Sequence, residues 1–221
     1  MPGGAWYPGV ACRPGGSGNL LLAVPAEPGA PRLDVTSIEQ FCKDTFLLTY
    51  EVPEAARLSL AQAEYPVTLI GTNSAYPHVM GFPLAAGAFF SRAAWEGKRR
   101  LAVFNEQAAF TLFGSTAIAG NRFRLRGETW LVSGVIRDGD DENCRVYVPS
   151  SARGREVLAL AALLNPSGGI TEAAAKSRLK ALGVREGNFA FYHLGDQERL
   201  LWERVLAAAG IAAVLALARI I

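Results

Sequence analysis

Apolar and polar positions change period several times along this chain, and each change marks an element. Between residues 105 and 113, Ala108, Ala109, Leu112 and Phe113 recur at helical spacing. Asn105 is a good N-cap for that run, and Gly114 stands where a left-handed C′ residue is wanted, so a short helix is predicted. Residues 121–126 then alternate Arg122, Arg124 and Arg126 against Phe123 and Leu125. A period of two makes this a strand with one wet and one buried face. Gly127-Glu128 reads as a tight turn, and residues 129–137, rich in apolar and β-branched side chains, as the returning strand. The helix and hairpin form a compact centre with no obvious chemistry in it. If the alternation is right, truncating Phe113 costs ~3–5 kcal/mol and truncating Arg124 little.

On the downstream side, residues 138–143 (DGDDEN) form a loop, and residues 145–148 a short strand ended by Pro149. Residues 157–164 are continuously apolar, which suits a fully buried strand, although periodicity alone does not separate it from a helix. Thr171 caps a helix over 172–182, with Ala175, Leu179 and Leu182 on one face and Gly183 at C′. Residues 188–193 then make a strand, so 157–193 reads β-α-β. The front of the chain reads the same way, with strands at 19–24 and 65–71. Its helix over 36–48 is opened by the capping-box pattern Thr36-Ser37-Ile38-Glu39. Pro53 breaks the ordered pattern, residues 54–63 look helical, and residues 74–83, with Pro77, Gly81 and Pro83 among them, are an irregular connection. Two β-α-β units flanking a β-rich insertion at about 87–148 make an α+β fold.

The two ends differ from this middle. Residues 1–33 are dense in Pro and Gly and bury too little to offset their ordering entropy, apart from 19–24. They carry no positive n-region, and residues 20–24 are too short for the apolar core of a secretory signal. At the other end, Asp196 caps a helix that runs through Leu200, Leu201 and Trp202 into VLAAAGIAAVLALARII. Residues 205–218 carry no charge but fall short of the ~20 residues of a membrane span. Apolar all round, the segment reads as the first part of a membrane helix, with Trp202 and the Glu203/Arg204 pair at the interface. An amphipathic or buried terminal helix is the alternative. The domains expected are therefore 1–33, 34–195 and 196–221.

Composition narrows the function. The formal net charge of +2 is nearly balanced, so nothing in bulk calls for nucleic acid. Three cysteines, Cys12, Cys42 and Cys144, are widely spaced and odd in number, giving neither a disulfide framework nor a zinc site. The only two histidines, His78 and His193, have no ligand at metal spacing. A calcium loop opening at Asp138 would need Gly at its sixth and Glu at its twelfth position, where Asn143 and Pro149 stand. Asp138, Asp140, Asp141 and Glu142 therefore read as a solvated loop. There is no G-x-S-x-G elbow and no G-x-x-x-x-G-K-[ST] phosphate loop. No catalytic, cofactor-binding or metal-ligating residue is assigned, and the chain is expected not to be an enzyme. The rival is an extracytoplasmic enzyme using the 138–142 carboxylates with His193. The stripe Arg122/Arg124/Arg126 and the run Lys98-Arg99-Arg100 could face an anionic ligand or lipid, against the plainer reading of a solvated face.

Several pieces in order carry a resemblance: Gly87–Phe90, residues 103–114 (VFNEQAAFTLFG), 118–121 (IAGN) and 127–138 (GETWLVSGVIRD), with 65–74 and 146–149 less sharply. They resemble the MacB-like periplasmic core domain, the extracytoplasmic insert of FtsX-like ABC-transporter permeases. The resemblance implies a porter-like pair of β-α-β units split by a small β-element. It implies a permease dimer working with a separate ABC ATPase subunit, bound to the cell membrane through the C-terminal helix, with the core domain extracytoplasmic and no cofactor. Its task would be mechanotransmission, coupling ATP-driven helix motion to a substrate or partner outside the membrane. Such a permease has a membrane helix just before this domain, and the reading of residues 1–33 as lacking one points to a truncated or altered start. The competing expectation is an exported binding module for a peptide, lipid or envelope protein, with no ATPase partner.

Overall fold

The computed structural model describes residues 19–25, 33, 35–44, 48–150, 159–164 and 171–194. The Pro/Gly-rich start, the beginning of the 157–164 run and the membrane-directed helix of 196–221 lie outside them. In chain order come β1 (Asn19–Pro25), α1 (Val35–Asp44), β2 (Leu48–Leu60), β3 (Ala63–Thr72) and α2 (Tyr76–Met80). Then follow β4 (Leu84–Gly87), α3 (Arg92–Glu96), β5 (Leu101–Asn105), α4 (Glu106–Phe113) and β6 (Arg122–Leu125). The described chain closes with β7 (Glu128–Ile136), β8 (Arg145–Pro149), β9 (Ala159–Leu164), α5 (Glu172–Ala181) and β10 (Phe189–Leu194).

The strands run in the order β10-β1-β9-β2-β3-β8-β5-β7-β4. At one end, β1 lies antiparallel between β9 and β10, and β9 antiparallel between β1 and β2. The units β1-α1-β2 and β9-α5-β10 are thus split β-α-β units, each receiving a strand of the other. That settles the apolar 159–164 segment as a strand. It also moves the second strand of the front unit from 65–71 to the start of β2, because Leu48–Glu51 is what pairs with β9. The helix expected over 36–48 is α1; it already includes Val35, so Thr36 lies in its first turn and not at its cap, and Leu48 belongs to β2.

The helix expected at 54–63 is absent: those residues continue β2 through Pro53 to Leu60. Glu, Ala, Arg and Leu favour helix, but pairing with β3 over nine registers overrides that preference. Pro53 is tolerated because it falls where β2 has left β9 and has not yet reached β6, so one edge is free there. Ala56, Leu58 and Leu60 alternate inward, the period-two signal that helix propensity masked. The irregular stretch 74–83 holds the five-residue α2, closed by the left-handed Gly81.

The predicted centre is present. Asn105 Oδ1 accepts from the Ala108 N–H at 2.9 Å at the start of α4, and Gly114, with φ 72°, bonds back to Phe110. The hairpin pairs Leu125 with Glu128, so its turn is Arg126-Gly127, one residue earlier than expected. Both turn residues have positive φ, 53° and 78°, as a two-residue hairpin loop demands. The hairpin does not stand alone: β6 also pairs with β2 at Leu58↔Leu125 and Ser59↔Arg124. The strands β2-β3-β8-β5-β7-β6 therefore close into a ring.

Alternating side chains of the central strands serve two cores. Leu69, Phe104, Val146 and Val148 point into the ring, where α4 packs with Phe123 and Leu125. Ile70, Val103 and Tyr147 point the other way, onto α2, α3 and the β-α-β units. Strands buried on both faces carry continuous apolar runs, as β8 (RVYVP) does. Gly134 permits β4 to lie close, since a Cβ there would stand 2.7 Å from the Ala88 carbonyl.

Candidate functional site

Where the two cores meet, the chain gathers a line of buried and half-buried polar groups. Glu51 is the last residue of β2 paired with β9, so it stands at the passage from one sheet to the other. Its Oε1 accepts from the Tyr76 hydroxyl of α2 at 2.5 Å. Tyr147, on β8, lies against Tyr76 and donates to Asp138 Oδ2 at 2.6 Å. Arg145, at the head of β8, sits 2.7 Å from Asp140 Oδ2 and 3.9 Å from Asp138 Oδ2. Asn105 ties the end of β5 to this loop: its Nδ2 donates to the Asn143 carbonyl at 2.9 Å and the Asp140 carbonyl at 3.2 Å. The same side chain accepts from the Arg145 N–H at 3.0 Å while capping α4.

The loop expected to be solvated is thus only partly so: Asp138 is 2% exposed, while Asp141 and Glu142 are exposed. The reason is that Tyr147 and Arg145, brought by β8, offer Asp138 the donors that compensate burial. Asp140 turns the loop by accepting from the Glu142 and Asn143 N–H groups. An aspartate followed by Asn three residues on is a local Asx-type signal; nothing local announces the partners of Asp138.

Electrostatics follow from burial. Desolvation pushes the Glu51 carboxyl up, against the Tyr76 bond and the Arg145 charge. Desolvation also raises Asp138, against the bond from Tyr147 and the Asp140 N–H. Asp140 is partly desolvated, but the bonds from Asn143 and the charge of Arg145 outweigh this and hold it low. Burial drives both tyrosines well above their usual range, so both hydroxyls stay protonated and donate to the carboxyls. A second tie runs from α1, where Glu39 accepts from Tyr50 at 3.3 Å and pairs with Lys98 at 3.4 Å.

The rival catalytic constellation is not assembled. Asp138 and Asp140 are committed to Tyr147 and Arg145. His193 lies on β10, which β1, β9, β2 and β3 separate from β8 in the strand order. His78 is exposed on α2. Among the described residues no group of three or more His, Cys, Asp or Glu could hold a metal ion. Cys42 and Cys144 are free thiols, and burial pushes Cys42 up to about 12; Cys12 lies outside the described residues. In the seam, charge-assisted bonds hold β2, α2, β8 and the acidic loop in one arrangement.

Of the basic residues, Arg122 and Arg124 are exposed as the alternation implies. Arg126 pairs with Glu54, and Arg100 with Glu128.

The sequence pattern of the MacB-like periplasmic core domain matches residues 15–182. No curated protein matches the chain by sequence. Among solved structures, the periplasmic region of MacB from Actinobacillus actinomycetemcomitans is similar, with a TM-score of 0.65 and 15% identity, over 87% of this chain and 94% of that one. The extracellular domain of the noncanonic ABC-type transporter YknZ from Gram-positive bacteria gives 0.57 and 17%, over 79% of this chain and 99% of that one. At these identities the likeness is one of fold.

Proposed function

The chain belongs to the MacB-like periplasmic core domains, the extracytoplasmic domains of ABC-transporter permeases, and on that footing we propose that it transmits ATP-driven motion outside the membrane. Its partner in this reading is a separate ABC ATPase subunit, acting on a permease dimer anchored through the segment 196–221. The domain works without a catalytic centre of its own. Among the described residues no helix is long and apolar enough to cross a membrane, so the anchor is assigned from the sequence.

One observation supports transmission above all. β2 is a single strand of 13 residues whose first part belongs to the β-α-β sheet and whose second part is a wall of the ring. A continuous strand with Glu51 clamped at the crossing passes displacement from one part to the other, as a flexible linker could not.

The test uses the full permease reconstituted with its ATPase in proteoliposomes. Glu51→Ala and Arg145→Met loosen the clamp; hydrolysis is expected to stay within about twofold while ATP-driven transport, or activation of the outside partner, falls about tenfold. Thermal melting checks that each variant stays folded. Hydrolysis and coupled output both unchanged would overturn the coupling. A permease that never associates with an ATPase, yet binds a ligand of the envelope, would leave a free-standing binding module as the better account.

A further inference from the structure

Between the tips of two hairpins lies an open groove of ≈ 490 Å³ walled by Ser59, Gln62, Arg122, Arg124, Gly127 and Thr129, among others. We propose that this groove binds a phosphate-bearing ligand. The inference does not rest on the transport reading.

Arg122 and Arg124 share the exposed face of β6, two residues and therefore about 7 Å apart. No carboxylate lines the groove. The acids of the neighbouring strands are engaged elsewhere: Glu64 with Arg57 at 3.6 Å, Glu54 with Arg126, and Glu128 with Arg100. Among the described residues neither Arg122 nor Arg124 has a carboxylate partner. Arg124 is nonetheless oriented, its Nη2 donating to the Gly127 carbonyl at 3.3 Å. Around this cation pair stand neutral donors, the hydroxyls of Ser59 and Thr129 and the amide of Gln62.

Two like charges held side by side attract a ligand with at least two anionic oxygens, and neutral donors complete its shell at no cost in competing charge. A guanidinium fork matches the O–P–O edge of a phosphate with two parallel bonds. The volume is that of a small-molecule site, large enough for a headgroup or a pyrophosphate. The far wall is set by the β2–β3 tip, where Ala61 and Gln62 hold positive φ of 49° and 71°. The left-handed region is thinly populated for such residues, and the strand pairing on both sides keeps the tip in that shape.

The probes are pyrophosphate in calorimetric titration of the full chain, and flotation with phosphatidylglycerol vesicles against phosphatidylcholine vesicles. Arg122→Gln/Arg124→Gln should weaken binding by at least about tenfold, each single change less, whereas Arg92→Gln, away from the groove, should leave it unchanged. These side chains are exposed, so melting curves should match the unmodified chain. Flotation lost in the double variant places the phosphate on a lipid headgroup; titration without flotation places it on a free phosphate compound. Either supports the site. Binding of neither probe by the unmodified chain, or equal binding by the double variant, would overturn it.

Discussion

The rings of Tyr76 and Tyr147 lie 5.2 Å apart between centroids, and their hydroxyls serve two different carboxyls, Glu51 and Asp138. Glu51 belongs to the strand common to both sheets, and Asp138 to the loop beneath β8. The pair of tyrosines therefore joins the β-α-β units to the ring across the polar seam.

This arrangement has a pH signature. The folded Glu51 carboxyl binds its proton more tightly than the unfolded one, because it is desolvated. Its contribution to stability is present below the unfolded value, about 4.3, and is lost as pH rises through the folded value. Asp138 acts in the same sense; Asp140, held low, acts oppositely, and its contribution is lost as pH falls. Glu51→Gln keeps an acceptor for Tyr76 without the charge. Melting temperature should decline more steeply as pH rises above about 4.3 in the unmodified chain than in this variant. Parallel profiles would mean that the carboxyl is not the source.

Asn105 holds three elements at once. Asn105→Ala removes the cap of α4, strands the Arg145 N–H and frees two loop carbonyls. The combined cost should be about 2–4 kcal/mol in urea unfolding. Asn105→Asp keeps the cap but loses the donor beside Asp138, so it should rescue only part of that loss.

The two faces of β6 should separate cleanly in a mutant series. Phe123, 2% exposed and edge-on to Phe104 at 5.2 Å, should cost ~3–5 kcal/mol on change to Ala. Arg124→Ala should stay within ~0.5 kcal/mol. Phe113 is only half-buried, so Phe113→Ala should fall below Phe123→Ala. Equal losses at 123 and 124 would contradict the register.

Glycines 134 and 127 should fail for different reasons. A methyl at 134 meets the backbone of Ala86 and Ala88 at 2.7–2.8 Å, so Gly134→Ala must push β4 off β7 and should cost about 1–3 kcal/mol or more. Gly127→Ala meets nothing within 4 Å and bears only its positive φ, about 1 kcal/mol. Chemical denaturation of both variants distinguishes crowding from conformational strain.

The elements that the sequence by itself determined are those whose information is local. The Asn105 cap, the Gly114 stop, the arginine alternation on β6 and the Thr171 cap all lie within a few residues of what they control. The family pattern is legible for the same reason, since its pieces are short and in order. The structure alone decided the rest, because the deciding partners are far away in sequence. Residues 54–60 carry helix formers, yet β3 on one edge and Leu125 of β6 on the other make them strand. Asp138 and Asp140 read as solvent-facing until β8 supplies Tyr147 and Arg145, and Glu51 carries no local mark of the tyrosine that holds it. Strand pairing and burial of charge are properties of the packed chain, and only packing could reveal them.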